Sequence, residues 1–195
     1  MNVNVWGHIS KENCPQRKSM RLKGYDYSQG GYYFITICTY NMKYIFGEII
    51  KGKMINNIYG NMIRDSWEDL ETRFVNIQLD QFIVMPDHFH GIIIIKNGSS
   101  VGVPLAGTQS TIHAKCNGQA QDQPLRSIIP QIIGVFKSIT TNRYEKLYDS
   151  NIRFNKLWQK SYYDRIIRNE IELNEIREYI MHNPLKWEIG MAKRR

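Results

Sequence analysis

The chain has 195 residues, 42% of them hydrophobic, and a formal net charge of +8. That is enough apolar material for the core of one ordinary domain, which sets aside a disordered chain. No stretch approaches the ~20 apolar residues that span a bilayer, and the surplus of cations suits a polyphosphate surface better than a small-metabolite site, although charge alone does not decide it. Residues 1–24 are polar and basic, with Lys11, Arg17, Lys18, Arg21 and Lys23. They read as an arm, either simply solvated or lying on phosphates. This start lacks the apolar stretch and cleavage site of a secretory signal, so the default expectation is a cytoplasmic protein.

YYFITICTY (32–40) is rich in β-branched and aromatic residues and predicts a strand. Its Cys38 reads as a small buried hydrophobe. Cys14, Cys38 and Cys116 are odd in number, far apart and without a CxxC, which argues against a disulfide framework or a thiolate zinc site. In 54–74, apolar residues at 55, 58, 62, 63, 67 and 70 predict a helix. VNIQLDQFIVM (75–85) predicts a second strand, broken by Pro86 and Asp87, and HFHGIIIIK a third, paired with it as an antiparallel hairpin. Residues 97–124, rich in Gly, Ser and Gln, show no period and read as a long loop, either a functional flap or a tolerated insertion.

The segment 125–147 resumes helical spacing, with Pro130 near its start. LWQKSYYDRIIRN (157–169) predicts a fourth strand, expected beside the hairpin. NEIELNEIREYIMHNP (169–184) predicts a helix capped by Asn169 with Glu172 three residues on, and stopped by Pro184. The order β, α, β, β, α, β, α is the split βαβ pattern. The expected fold class is α+β: a ferredoxin-like antiparallel sheet of four or five strands, helices on one face, the other face open, and a further C-terminal helix. One domain is expected over 25–187, followed by a basic tail, 188–195.

MPDHFHGIIII (85–95) is where chemistry enters. Side chains at i and i+2 of a strand share a face, so His88 and His90 project together, their roots ~7 Å apart. Two imidazoles so placed can converge on a divalent cation, or can simply hydrogen-bond. Phe89 points the other way, into the helix-covered core. Gly91 is expected to leave room beside the pair. Asp87 is a turn residue or a group that orients a ligand, on the opposite face if the strand is regular. In the last helix, Ile176, Tyr179, Ile180 and Asn183 form one docking stripe. Tyr179 can place a hydroxyl beside a metal there and Asn183 a carbonyl oxygen; the alternative is a buried, hydrogen-bonded tyrosine and a helix C-cap.

The blocks MPDHFHGIII, WQKSYYDRIIRN and REYIMHNPLKW, with the opening GYDYSQGGYYFITICTYNMKYIFGEI, resemble the single-tyrosine HUH transposases, and most of all their REP-associated tyrosine transposase branch. The resemblance spans roughly residues 20–187 and rests on several separated blocks rather than on HxH alone. It implies that His88 and His90 bind a catalytic Mg²⁺ or Mn²⁺, that Asn183 is the third ligand (glutamine in some relatives), and that Tyr179 attacks the DNA backbone. The implied partner is single-stranded DNA, folded into hairpins at repeat ends, and the implied setting is the bacterial nucleoid. Either a monomer or a homodimer fits.

For the DNA contacts, Lys160, Arg165 and Arg168 join Arg17, Lys18, Arg21 and Lys23, each of which can equally be an ordinary solvated charge. Tyr162 or Tyr163 is expected on the sheet surface, packing or stacking on bases. Asp164 is either a support for the site or half of a surface salt bridge. The alternative to a nicking and joining enzyme is a non-catalytic module of the same fold that grips single-stranded nucleic acid. A third possibility is another metallohydrolase, with turnover indifferent to Tyr179→Phe.

Overall fold

The computed structural model of the protein describes residues 30–96, 128–147 and 156–192. The basic arm with Arg17, Lys18, Arg21 and Lys23, the loop 97–124, and Cys14 and Cys116 lie outside them. In chain order the elements are β1 (Gly31–Cys38), β2 (Gly47–Ile50), β3 (Lys53–Asn56), α1 (Ile58–Glu68), α2 (Leu70–Arg73), β4 (Ile77–Val84), β5 (His88–Ile95), α3 (Ile128–Leu147), β6 (Tyr163–Ile167) and α4 (Glu170–Ala192).

Four strands form the main sheet in the order β4-β5-β1-β6, every neighbour antiparallel. Counted along the chain, that is second, third, first and fourth, the ferredoxin-like arrangement. The histidine strand β5 is therefore central. β6 does not join the hairpin, as its sequence position suggested. β1 takes the free edge of β5, from Gly31 opposite Ile95 to Cys38 opposite His88, and β6 pairs on the far side of β1.

The ribbon β2–β3 is an addition to the predicted order. Its two-residue turn has Lys51 at φ 52° and Gly52 at φ 69°, the positive-φ pair that matches strand twist in a tight hairpin. Helical spacing begins at residue 55 in the sequence, yet α1 starts only at Ile58. The reason is Asn57, whose side chain accepts from the N–H groups of Tyr59 and Gly60 at 2.9 and 3.0 Å and so fixes the first turn.

Alternation along the strands builds two apolar layers. Tyr33, Ile35 and Ile37 of β1 and Phe89, Ile93 and Ile95 of β5 meet Trp67 of α1 and Ile132 and Phe136 of α3. The Phe89 ring lies 4.5 Å from Trp67 and 5.5 Å from Phe136; Cys38 is buried too, directly opposite His88 in the register of β1 on β5. On the other face, expected to be open, Phe34, Ile92 and Ile167 receive Leu173, Ile176 and Ile180 of α4. Gly91 faces the first layer, not the histidine pair: a Cβ there would come within 2.6 Å of Trp67 Cζ2. It shares the face of Phe89, two residues away, and its lack of a side chain makes room for the Trp67 indole.

Helix α4 begins as expected. Asn169 Oδ1 accepts from the Glu172 N–H at 2.8 Å, and Glu172 Oε2 accepts from the Arg168 N–H at 2.9 Å. Arg177 clamps the helix to β4 through two bonds to Asp80 Oδ2, at 2.6 and 3.0 Å. The expected stop at Pro184 does not occur; the helix runs on to Ala192. Proline removes one helical hydrogen bond, but docking beyond it offsets the loss. Pro184 is buried, and the Trp187 ring sits 5.6 Å from His88 and 5.7 Å from Tyr44. Among the described residues no helix is long and apolar enough to cross a membrane.

Candidate active site

The imidazoles of His88 and His90 lie on one face of β5 with ring centroids 4.6 Å apart. Each is fixed through Nδ1. His90 Nδ1 meets Thr36 Oγ1 at 2.8 Å, because the register sets Thr36 directly opposite His90. His88 Nδ1 meets Asp87 Oδ1 at 2.6 Å, and Asp87 is only 3% exposed. The turn thus brings Asp87 to the edge of its own neighbour, where it orients His88 rather than pointing away. With both Nδ1 atoms held by oxygen partners, Nε2 is the nitrogen left on each ring for a ligand.

His90 is 4% exposed, and its ring stacks on Phe34 at 5.2 Å. Burial, and secondly the neighbouring His88, lower its pKa well below the ordinary 6.5. It is therefore neutral at physiological pH, the form that binds a metal.

Helix α4 supplies the other side. Tyr179 Oη lies 3.4 Å from His90 Nε2. Its ring stands edge-on to Phe34 at 6.1 Å. Burial raises the phenol's pKa above the usual 10, while a hydrogen bond from Asn183 works in the opposite direction. Asn183, one turn on, is buried beside the phenol and carries an amide oxygen of the kind that can act as a donor atom. Because α4 continues, Asn183 is not a C-cap. Lys186 Nζ lies 5.4 Å from the centre of the Tyr179 ring, a cation–π contact.

No group of three or more His, Cys, Asp or Glu that could hold a metal occurs among the described residues. The donor set on offer is instead two imidazole nitrogens and one amide oxygen. Nitrogen with neutral oxygen fits Mn²⁺ or Mg²⁺ in a mixed site, completed by substrate or water, and the oxygen partners on both Nδ1 atoms are the support such ligands need. The residues present fit the ion.

His88, His90, Tyr179 and Asn183, dispersed over 96 positions of sequence, thus meet at one place. The expected DNA contacts divide. Tyr163 pairs with Thr36 and Arg165 with Phe34, which sets both on the histidine face; Arg165 is ion-paired with Glu172. Tyr162 does not reach that face. It packs against the α1/α3 layer, with Lys137 Nζ 5.8 Å from its ring centre, because neighbours on adjoining positions alternate. Asp164, opposite Ile35, is likewise on the far face. Lys160 and Arg168 are exposed at the two ends of β6. Thr36, Lys186 and Trp187 escape a reading of sequence alone. Only the seven-residue step from Tyr179 to Lys186 carries a local signal, that of a shared helix face.

No family model matches the chain. An uncharacterized protein of Haemophilus influenzae is 37% identical over 176 residues, covering 88% of this chain and 90% of that protein. Among solved structures, that of a REP-associated tyrosine transposase bound to a REP hairpin superposes with a TM-score of 0.50 at 16% identity, covering 81% of this chain and 68% of that one. The second likeness is one of fold; the first, at 37% identity over nearly the whole of both chains, shows that this protein belongs to one family with the uncharacterized Haemophilus influenzae protein.

Proposed function

We propose that the protein is a metal-dependent transposase or nickase that cuts and rejoins single-stranded DNA, folded into hairpins, with Tyr179 as the nucleophile. The observation that carries this reading is the 3.4 Å approach of Tyr179 Oη to His90 Nε2, with His88 and Asn183 alongside. A ligand-binding histidine pair beside a buried tyrosine has no use in a protein that only grips DNA. The net charge of +8 and a fold shared with a transposase solved on hairpin DNA support the choice of substrate.

His88, His90 and Asn183 are the residues that would hold Mg²⁺ or Mn²⁺, which when bound supplies a Lewis acid for a phosphate oxygen. The remaining chemistry belongs to the chain. Phe34 and His90 pack around the Tyr179 ring and aim its oxygen. Burial keeps the phenol protonated at rest, and the Asn183 amide favours the phenolate as the proton leaves. Bonding of Tyr179 Oη to phosphorus breaks the P–O3′ bond. The phenol proton is lost to solvent, and the departing oxygen takes one up as a free 3′-hydroxyl. The 5′-phosphotyrosine conserves the phosphodiester energy, so attack by another 3′-hydroxyl reverses the step and joins strands.

The test is a denaturing gel of labelled single-stranded hairpins incubated with the protein and Mn²⁺ or Mg²⁺. A slow-migrating covalent adduct is expected from the unaltered protein, absent from Tyr179→Phe and from His88→Ala/His90→Ala. An adduct that survives Tyr179→Phe moves the nucleophile elsewhere. Binding without adduct or cleavage across a broad hairpin set replaces the enzyme with a binding module.

A further inference from the structure

The aromatic row does not end at the histidines. Trp187 lies 5.6 Å from His88 and 5.7 Å from Tyr44. From Tyr44 through Trp187, His88 and His90 to Tyr179, each ring touches the next. Tyr44 is 60% exposed, yet its surroundings are firmly held. The Ile45 and Phe46 N–H groups both donate to the Pro86 carbonyl, at 2.8 and 3.2 Å, and the Thr39 N–H donates to the Asp87 carbonyl at 2.8 Å. The strand-to-ribbon connection is thereby pinned to the very turn that carries His88. A large exposed aromatic on a pinned loop, edge-on to a tryptophan, is a surface prepared for a flat apolar ligand.

The flanking charge decides which ligand. Lys43 precedes Tyr44 and Lys186 precedes Trp187, both exposed, and Lys186 also reaches the Tyr179 ring. Glu188 is the adjoining acidic residue on the helix. Aromatic rings flanked by lysines suit an unpaired nucleobase on its phosphate backbone: every base offers a π-face, and the phosphates meet the cations. We propose that Trp187 and Tyr44 form a stacking platform for an unpaired base within two nucleotides of the phosphodiester that Tyr179 attacks. The placement relative to the cut rests on the nicking reading above; the stacking itself does not.

The experiment uses the full chain with Tyr179→Phe, so that DNA stays intact. The probe is a hairpin with a single-stranded dT tail on each side and one 2-aminopurine moved along the tails. Fluorescence quenching is expected at one or two adjacent positions. Trp187→Ala abolishes that quenching and weakens binding about tenfold, the lower range of one lost base stack; Trp187→Phe keeps most of both. Tyr44→Ala, at a position 60% exposed, reduces the same signal. Quenching and affinity unmoved by both alanine variants would overturn the platform. If the tyrosine protein forms the covalent adduct but no tail position responds, only the platform falls. If the intact chain binds no single-stranded DNA, platform and nicking reading fall together.

Discussion

Tyr179 and His90 stand 89 residues apart in the chain and 3.4 Å apart at Oη and Nε2. One rides on a helix and the other on a central strand of the sheet, so their meeting depends on how α4 docks over Phe34 and Ile92. Residues that never touch a reacting atom therefore control the encounter.

Asp87 is one of them. Its carboxylate fixes His88 from a buried position. Asp87→Asn keeps the volume and removes the charge. Adduct formation is expected to fall about 10–100-fold, the range for losing a ligand's outer partner, with part of the loss recovered at higher Mn²⁺. The check is adduct yield against Mn²⁺ concentration; a curve superposing on that of the unaltered protein would remove Asp87 from this role.

Thr36 does the same for His90. Thr36→Val preserves shape and leaves a buried ring nitrogen unpaired, which costs about 1–3 kcal/mol. Urea unfolding is expected to show that loss, and the gel a fall in adduct. Thr36→Ser, which restores the hydroxyl, is expected to recover the adduct. Equal behaviour of the valine and serine variants would count against an orienting bond.

Acid should destabilise the protein through His90. Its pKa in the folded state lies well below 6.5 because of burial, so in the window between the two values the unfolded chain binds the proton and the folded one does not. Stability is full above pH ~6.5 and is lost as pH falls from there towards the folded value. Melting temperatures from pH 7.5 to 5 are expected to drop, with a shallower drop in His90→Gln. Identical pH slopes for the two proteins would exclude His90 as the source.

Gly91→Ala tests packing. The added methyl would meet the Trp67 indole at 2.6 Å. Overpacking of this kind costs about 1–3 kcal/mol, and a chain of this size loses about 2–4 °C of melting temperature for each kcal/mol. Because the methyl points away from the histidines, adduct formation at low temperature is expected to survive. Loss of adduct without loss of stability would put Gly91 beside the site after all.

The histidine pair and Phe89 could be assigned to opposite faces from sequence because strand alternation is a local rule. Tyr179 and Asn183 could be placed together because four residues make one helical turn. Thr36 could not, since its role follows from the register of β1 on β5, which no local pattern states. The same pairing displaced β6 from the hairpin. Pro184 misleads for another reason: a local penalty was outweighed by the docking of Trp187. The β2–β3 ribbon was hidden by helical spacing that happened to extend three residues too far back, across the Asn57 cap and into β3.

The two halves of the site are anchored to different depths. His88, His90 and Thr36 belong to β5 and β1, and Asp87 to the turn that enters β5; the opposite face of these strands is sealed by the large α1/α3 layer. Tyr179, Asn183 and Trp187 belong to a helix held by a small apolar cluster and the Arg177–Asp80 clamp. Elements with less buried surface open at lower free energy. On gentle warming, or in dilute urea, the attacking group should come away before the sheet melts. The protein would then pass through an inert state that keeps its ligand pair and has lost its nucleophile.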